Sequence, residues 1–143
     1  MIRAWHRSSE ASRRLDDIPG IGPALATALV ASIADAKAFR SGRNFSAWIG
    51  LVPKQNSSGG KDRFGNICKR GDRYLRSLLT NGALAVIRYA KIHGATHRPW
   101  LTALLIRRPA KVAAIALANK IARMAWAIMA KGERYKEPAA LAA

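Results

Sequence analysis

Hydrophobic residues return at helical spacing over most of the second half of the chain. Between residues 73 and 92 apolar side chains recur every three or four positions, which predicts one long amphipathic helix. Similar patterns predict a helix from Arg98-Pro99 to about Ile106 and another from Pro109 to about Lys131. Strict alternation of apolar and polar residues, typical of a half-buried strand, is nearly absent. The pattern therefore predicts an all-α protein, a small helical domain.

Two features of these helices predict how they pack. Asp72 suits the N-cap of the 73–92 helix, because its carboxylate can accept hydrogen bonds from first-turn N–H groups. The predicted core stripe of that helix consists of Leu75, Leu78, Leu79, Gly82, Val86 and Tyr89 or Ala90. The last helix is apolar on two sides, with Val112, Ile115, Ala122 and Trp126 on one and Leu117, Ile121 and Ile128 on the other. Such a helix is predicted to lie at the centre of the bundle.

The chain divides into three predicted parts. Residues 1–17 are interpreted as the end of an upstream linker or coiled-coil helix, and a frayed N-terminal helix is the alternative. Residues 18–131 form the predicted helical domain, and residues 132–143 a loose tail. The interpretation of the first part depends on its shared helical face, which is not a core stripe and carries Trp5, Ser9, Ser12 and Asp16.

Shorter elements are predicted in the first half of the domain. A helix starts near Pro23, where a missing N–H costs nothing, and runs to about Ile33. A short helical turn is predicted over Ser46–Leu51 and ends at Pro53. Residues 53–71 are polar, basic and rich in glycine, which predicts a long loop.

Net charge narrows the class of partner. Twenty-five Lys and Arg residues against eight acids give a formal charge of +17. Such an excess opposes a compact fold by self-repulsion and indicates a polyanionic partner, which is DNA, RNA or an anionic membrane. Arg outnumbers Lys, and its planar fork suits bidentate contacts to phosphate.

A membrane and a metal site are both disfavoured. The most apolar stretch, residues 110–130, carries Lys111, Lys120 and Arg123, which argues against a membrane-spanning helix. The single cysteine, Cys68, excludes an internal disulfide and fits a reducing cytoplasm. One cysteine and three scattered histidines form no zinc-ligand pattern, so no metal or other cofactor is predicted in this chain.

The run Ile18-Pro-Gly-Ile-Gly-Pro fits the start of a helix-hairpin-helix element. Gly20 and Gly22 permit a tight turn that leaves backbone N–H groups free at the start of the next helix. Those N–H groups and the positive end of the helix dipole favour a phosphate, without reading base sequence. An ordinary turn between two helices is the alternative.

A second constellation spans residues 53–76. It holds Ser57-Ser58-Gly59-Gly60, in which a serine beside small residues can approach a phosphodiester closely. Seven cations surround it and are candidates for phosphate contacts, with a solvated basic face as the alternative for each: Lys54, Lys61, Arg63, Lys69, Arg70, Arg73 and Arg76. Lys61 is predicted to lie nearest the serine. Taken alone, Ser-Ser-Gly-Gly is also a common composition of flexible loops.

Four motifs in order carry a resemblance to a known family. They are Ile18-Pro-Gly-Ile-Gly-Pro, the segment Phe45 to Pro53, Ser57-Ser-Gly-Gly-Lys, and Lys69-Arg-Gly-Asp-Arg-Tyr-Leu-Arg. Together they resemble the C-terminal domain of the DEDD transposases of bacterial insertion sequences, which are bridge-RNA-guided recombinases. The resemblance covers most of residues 5–131.

The resemblance implies a transposase that cleaves and exchanges DNA strands through a serine nucleophile. Carried onto this chain, the nucleophile is Ser58, which directly precedes the first glycine, with Ser57 as the alternative. The resemblance also implies an RuvC-like domain whose four acidic residues hold Mg²⁺, a guide RNA, DNA as substrate and a homo-oligomer in the bacterial cytoplasm. The eight acids of this chain form no such cluster, so the isolated chain is predicted to be inactive.

Two other functions stay open. A non-catalytic helix-hairpin-helix module would bind DNA or RNA by its backbone, and an inactive truncated transposase would keep every motif. Among the aromatic residues, Trp48 and Trp126 are predicted to lie in the core and Trp5 to be exposed.

Overall fold

Seven α-helices and one β-hairpin make up the described part of the chain. The computed structural model describes residues 2–33, 35–51, 53–58, 61–67, 72–93 and 99–136. In chain order the elements are α1 (Ile2–Ser8), α2 (Glu10–Asp16), α3 (Pro23–Ser32), a 3-10 turn (Ala36–Ala38), α4 (Gly42–Ile49), β1 (Pro53–Ser58), β2 (Lys61–Ile67), α5 (Arg73–His93), α6 (Pro99–Arg107) and α7 (Ala110–Lys131). The predicted helical class is confirmed, and the hairpin is an addition to it.

Helix α7 is the centre of the bundle, as its two apolar sides predict. It packs against α2, α4, α5, α6 and the 3-10 turn. Its buried positions are mostly small or aliphatic: Ala113, Ala114, Leu117, Ala118, Ile121, Ala122, Ala125 and Ile128. The alanines allow neighbouring helices to approach closely. Val112, predicted to belong to one apolar side, is 51% exposed, because no helix of the described chain covers that position of the first turn.

The long helix α5 lies along α7. Its N-terminus is confirmed at Asp72, whose Oδ1 accepts a hydrogen bond of 3.0 Å from the backbone N–H of Leu75. One stripe of this helix is buried: Leu75, Leu79, Ala83, Ile87 and Ala90. Of the predicted stripe, Leu78, Gly82 and Val86 are only half-buried, whereas the prediction did not name Ala83 and Ile87. The pattern allowed Tyr89 or Ala90 at the last position, and Ala90 is buried while Tyr89 is 60% exposed.

Helices α1 and α2 pack on the rest of the bundle. Helix α2 contacts α3 and α7, and α1 contacts α3. Of the face shared by Trp5, Ser9, Ser12 and Asp16, only Ser12 is buried, so that face is not a core stripe, as predicted. Leu15, which lies outside that face, is fully buried. The interpretation of residues 1–17 as the end of an upstream helix stays a prediction.

The segment predicted to be a long loop holds an antiparallel hairpin. Strands β1 and β2 pair from Pro53 opposite Ile67 to Ser58 opposite Lys61, with an irregularity in register between Pro53 and Gln55. The loop prediction was therefore wrong for residues 53–58 and 61–67. Polar, glycine-containing strands lack the alternation on which a strand prediction depends.

The helix α7 is also long and apolar enough to cross a membrane by length and composition, with a mean hydropathy of 1.4 over its most apolar window. The core helix of a globular bundle satisfies the same test. Eight residues of α7 are buried against other helices of this chain, which accounts for its apolar character.

Candidate nucleic-acid interface

The two candidate serines lie at one end of the β-hairpin. In the ladder Ser57 is paired with Asp62, and Ser58 with Lys61. Pro53 and Ile67 form the pair at the other end, next to the segments that lead to α4 and α5. Five strand steps separate Pro53 from Ser58, so Ser58 is about 17 Å along the strand from that end.

The hairpin also places three of the predicted cations, of which only Lys61 is paired with a serine. Lys61 is the ladder partner of Ser58, and Arg63 is the partner of Asn56. Lys54 falls in β1 at the irregularity in register. Lys69 and Arg70 lie outside the described residues. The backbone pairing of Ser58 with Lys61 thus sets a residue with a hydroxyl group opposite a residue with an amino group.

A sequence signal for this hairpin exists. Two glycines, Gly59 and Gly60, separate two mostly polar runs of similar length. A Gly-Gly pair between two extended runs is typical of a β-hairpin. The polar composition of the flanking residues is equally typical of a loop, and it masks this signal.

Two candidate arginines at the start of α5 have different environments. Arg73 is exposed. Arg76 is half-buried, and its Nη1 donates a hydrogen bond of 3.3 Å to the carbonyl oxygen of Ile49 at the end of α4. This contact ties α4 to α5, so Arg76 has a structural role in addition to any contact with phosphate.

The two candidate glycines before α3 also differ. Gly20 has a φ of +98°, and a Cβ placed there would lie 2.9 Å from Ile121 Cδ1 and 3.2 Å from Val86 Cγ2. Gly20 therefore packs against α5 and α7. Gly22 is the exposed N-cap residue of α3, and a Cβ there would meet nothing within 4 Å. Of the two, only Gly22 lies at a helix start open to solvent.

A cluster of cations around α4 has no counterpart among the sequence predictions. Arg40 and Arg43 are exposed beside Gly42, and a Cβ on Gly42 would lie 3.2 Å from the Cα of Arg123. Arg123 is exposed as well, although α7 is the central helix. Only the crossing of α4 over α7 brings these residues together, and no local pattern in the sequence shows it.

An aromatic group adjoins this cluster. The ring of Trp48 stacks on that of Phe45, with centroids 6.2 Å apart, and lies 5.5 Å from the ring of Phe39. Trp48 is 42% exposed, so the prediction that it lies in the core was wrong. Trp126 is half-buried against the core, and its Nε1 donates a hydrogen bond of 2.9 Å to the carbonyl oxygen of Ala36. Trp5 is 44% exposed, as predicted.

A Ser–His–Asp set in the N-terminal helices is a second feature that no sequence pattern predicts. His6 Nδ1 lies 2.6 Å from Ser12 Oγ, and His6 Nε2 lies 3.4 Å from Asp16 Oδ2. These residue types occur together in serine hydrolases. Ser12 is fully buried, however, so its hydroxyl cannot meet a phosphodiester. The set joins α1 to α2 and is structural.

Acidic residues offset few of the cations. Among the described residues, Arg14 pairs with Glu10 at 2.6 Å, and His6 Nε2 lies 3.4 Å from a carboxylate oxygen of Asp16. Within the same residues no three His, Cys, Asp or Glu side chains come together as metal ligands would. The surface is therefore predominantly cationic, as a contact surface for a polyanion requires.

These features define a small basic helical domain with a pair of polar strands. Residues 12–98 match the transposase IS116/IS110/IS902 family. The match covers more than half of the 143 residues, so the chain belongs to this family of transposases.

Longer relatives carry the same segment. The chain is 50% identical to a probable family 20 transposase of Pseudomonas aeruginosa over 94% of its own length and 40% of the relative. It is 46% identical to the putative transposase y4pF/y4sB of Sinorhizobium fredii, over 92% of the chain and 34% of that relative. It is 41% identical to the transposase for insertion sequence element IS1111A of Coxiella burnetii, over 94% of the chain and 37% of that relative. The chain thus spans about two fifths or less of the length of these relatives.

Proposed function

We propose that this chain is the serine-bearing part of a transposase that cleaves and rejoins DNA, with Ser58 as nucleophile and Ser57 as the alternative. The observation that carries the proposal is the register of the hairpin, in which Ser58 ends β1 and pairs with Lys61. Membership of a transposase family supports the class of reaction. The excess of positive charge supports DNA as the substrate.

The proposed step is a transesterification at phosphorus. The Oγ of Ser58 forms a bond to the phosphorus of a DNA phosphodiester, and the bond from phosphorus to one deoxyribose oxygen breaks. The serine gives up its proton to a general base, and the leaving oxygen takes up a proton to become a hydroxyl. A neighbouring ammonium such as that of Lys61 would stabilise the charge that develops on the phosphate oxygens. Reversal with a different DNA hydroxyl rejoins the strands.

The remaining parts of the machinery are assigned to a partner domain. The described residues of this chain do not fit a Mg²⁺ site, because they contain no group of three or more ligand-type side chains. We therefore place the metal-binding carboxylates in an RuvC-like domain, and no step of this chain is written through the metal. A guide RNA and assembly into a homo-oligomer complete the proposal, since strand exchange must hold two DNA partners at once.

A covalent adduct tests the nucleophile. The chain is joined to an RuvC-like domain of the same family and incubated with guide RNA, donor and target DNA, and Mg²⁺. Protein–DNA adducts are then resolved on a denaturing gel for the wild type, Ser58→Ala and Ser57→Ala. Ser77→Ala, at an exposed serine on α5, is the matched control. We expect loss of the adduct in Ser58→Ala and its retention in the other two variants.

The other results each have a defined meaning. Loss of the adduct only in Ser57→Ala transfers the role to Ser57. An adduct that survives both substitutions places the chemistry elsewhere. Absence of any adduct, while an active relative works in parallel, favours the alternative function of a basic module that binds nucleic acid without cleaving it.

A further inference from the structure

An apolar slot lies between α1, α3 and the first turn of α5. Its volume is about 410 Å³. Trp5 of α1 and Tyr74 of α5 line it, and its floor is the face of α3 formed by Ala24, Ala28 and Ala31. These three positions are four and three residues apart, so they fall on one side of the helix.

The floor of the slot is flat and without charge. Alanine side chains project by a single methyl group, so they leave a smooth surface between the two aromatic residues. Thr27 also contributes to the floor, but its hydroxyl already donates a hydrogen bond of 3.0 Å to the carbonyl oxygen of Ala24. A ligand in this slot would therefore be held by stacking and apolar contact rather than by hydrogen bonds from the floor.

The two aromatic residues differ from the other exposed ones. Among described residues five aromatic side chains are exposed: Trp5, Trp48, Tyr74, Tyr89 and Trp100. Trp48 stacks on Phe45, Tyr89 lies 4.4 Å from the ring of His93, and Trp100 lies 4.2 Å from Lys120 Nζ. Neither Trp5 nor Tyr74 has a ring or cation contact within the described residues. Of the five exposed aromatic residues, the two without such a contact are therefore the two that line the slot.

We propose that this slot binds an unpaired nucleobase of a single-stranded nucleic acid, an inference that rests on the proposed function. A base is flat and apolar on its faces, and it stacks on aromatic side chains whatever its identity. Arg73 precedes Tyr74 in the sequence and is exposed, so a cation of the same helix turn is open to a phosphate of the bound strand.

The position of the slot connects it to the proposed chemistry. Tyr74 lies at the second position of α5, the helix that follows β2. In the sequence, Tyr74 of the slot therefore follows the hairpin that carries Ser58.

Comparing two oligonucleotides with the same phosphates, one with bases and one without, distinguishes binding to the base from binding to the backbone. The affinity of this chain for a labelled oligothymidine is compared with its affinity for an abasic strand of equal length and for a duplex, by fluorescence anisotropy at fixed salt. We expect the wild type to bind oligothymidine about tenfold more tightly than the abasic strand, within the range of one stacked base.

Three variants assign that preference to the slot. Tyr74→Leu removes one aromatic residue, and Ala24→Leu fills the floor at an exposed position. Both should reduce the preference to about twofold or less, with affinity for the abasic strand unchanged. Tyr89→Leu is the matched control, because Tyr89 lies on the same helix and is 60% exposed, as Tyr74 is. It should keep the full preference, and circular dichroism should show equal helix content in all four proteins.

Every other outcome overturns the inference. A wild type that binds both strands equally has no base site, although its phosphate binding still supports the proposed function. A preference that persists in Tyr74→Leu and Ala24→Leu places the base elsewhere. A stable dimer that dissociates in Tyr74→Leu identifies a second copy as the occupant. Failure to bind any of the three nucleic acids removes the proposed function as well, and so is distinguishable from failure of the slot alone.

Discussion

The carbonyl oxygen of Gly20 lies against the α-carbon of Gly82, so closely that a Cβ on Gly82 would overlap it. This contact joins the turn before α3 to the middle of α5. Gly20 itself has a φ of +98° and faces Ile121 of α7. Two glycines thus allow three helices to meet at one point, and neither tolerates a side chain there.

We expect Gly82→Ala to lower the free energy of unfolding by about 2 kcal/mol. Alanine gains about 1 kcal/mol in helix propensity, but overlap with a backbone carbonyl lies at or above the upper end of the ~1–3 kcal/mol cost of overpacking. Thermal denaturation followed by circular dichroism measures the change. Gly22→Ser is the control, because its Cβ would lie in open space and serine suits an N-cap. Equal stability of the two variants would contradict the close contact.

The N-cap of α5 is a second test of the fold. Asp72→Ala removes the acceptor for the Leu75 N–H and should destabilise the protein by about 1 kcal/mol. Asp72→Asn keeps an acceptor oxygen and should be close to neutral. Chemical denaturation with urea gives both values. If Asn and Ala are equally destabilising, the charge of Asp72 among its cationic neighbours matters more than the cap.

The contacts of buried His6 with Ser12 and Asp16 predict a separation of stability from activity. Ser12→Ala leaves His6 Nδ1 without its partner and should cost about 1–3 kcal/mol of stability. The same variant should form the DNA adduct as the wild type does at a temperature where both are folded. Ser8→Ala, which removes an exposed hydroxyl, should change neither quantity. An adduct lost in Ser12→Ala under folded conditions would give this set a role in the reaction.

Duplex binding should depend steeply on salt, because contacts to several phosphates release counterions. Arg73→Gln should weaken binding and lower the slope of log affinity against log salt by about 1. Arg88→Gln changes another exposed arginine of the same helix and serves as the comparison. Affinity that hardly varies with salt would contradict an electrostatic interface, and equal slopes for the two variants would remove Arg73 from it.

Local patterns are enough to predict the main helices. The helix over residues 73–93, the cap at Asp72 and the apolar sides of α7 each depend on residues within a few positions of one another. Helix formation is governed by contacts at that range, so the sequence shows it directly. The excess of 17 positive charges likewise follows from composition alone and indicates a polyanionic partner.

The order of the motifs along the chain also predicts a transposase family, and the family match over residues 12–98 confirms that class. The serine nucleophile, the guide RNA and the RuvC-like partner domain stay predictions. Their tests are the adduct and binding measurements above.

The tertiary structure decided which residues are buried and which meet. Gly20 packs against α5 instead of lying open as Gly22 does, and Trp48 is exposed although its sequence neighbours are apolar. Burial depends on which distant segment covers a residue, and a sequence pattern holds no information on that crossing. The slot brings together Trp5 and Tyr74, which are far apart in the sequence, and only the packing of α1, α3 and α5 places them together.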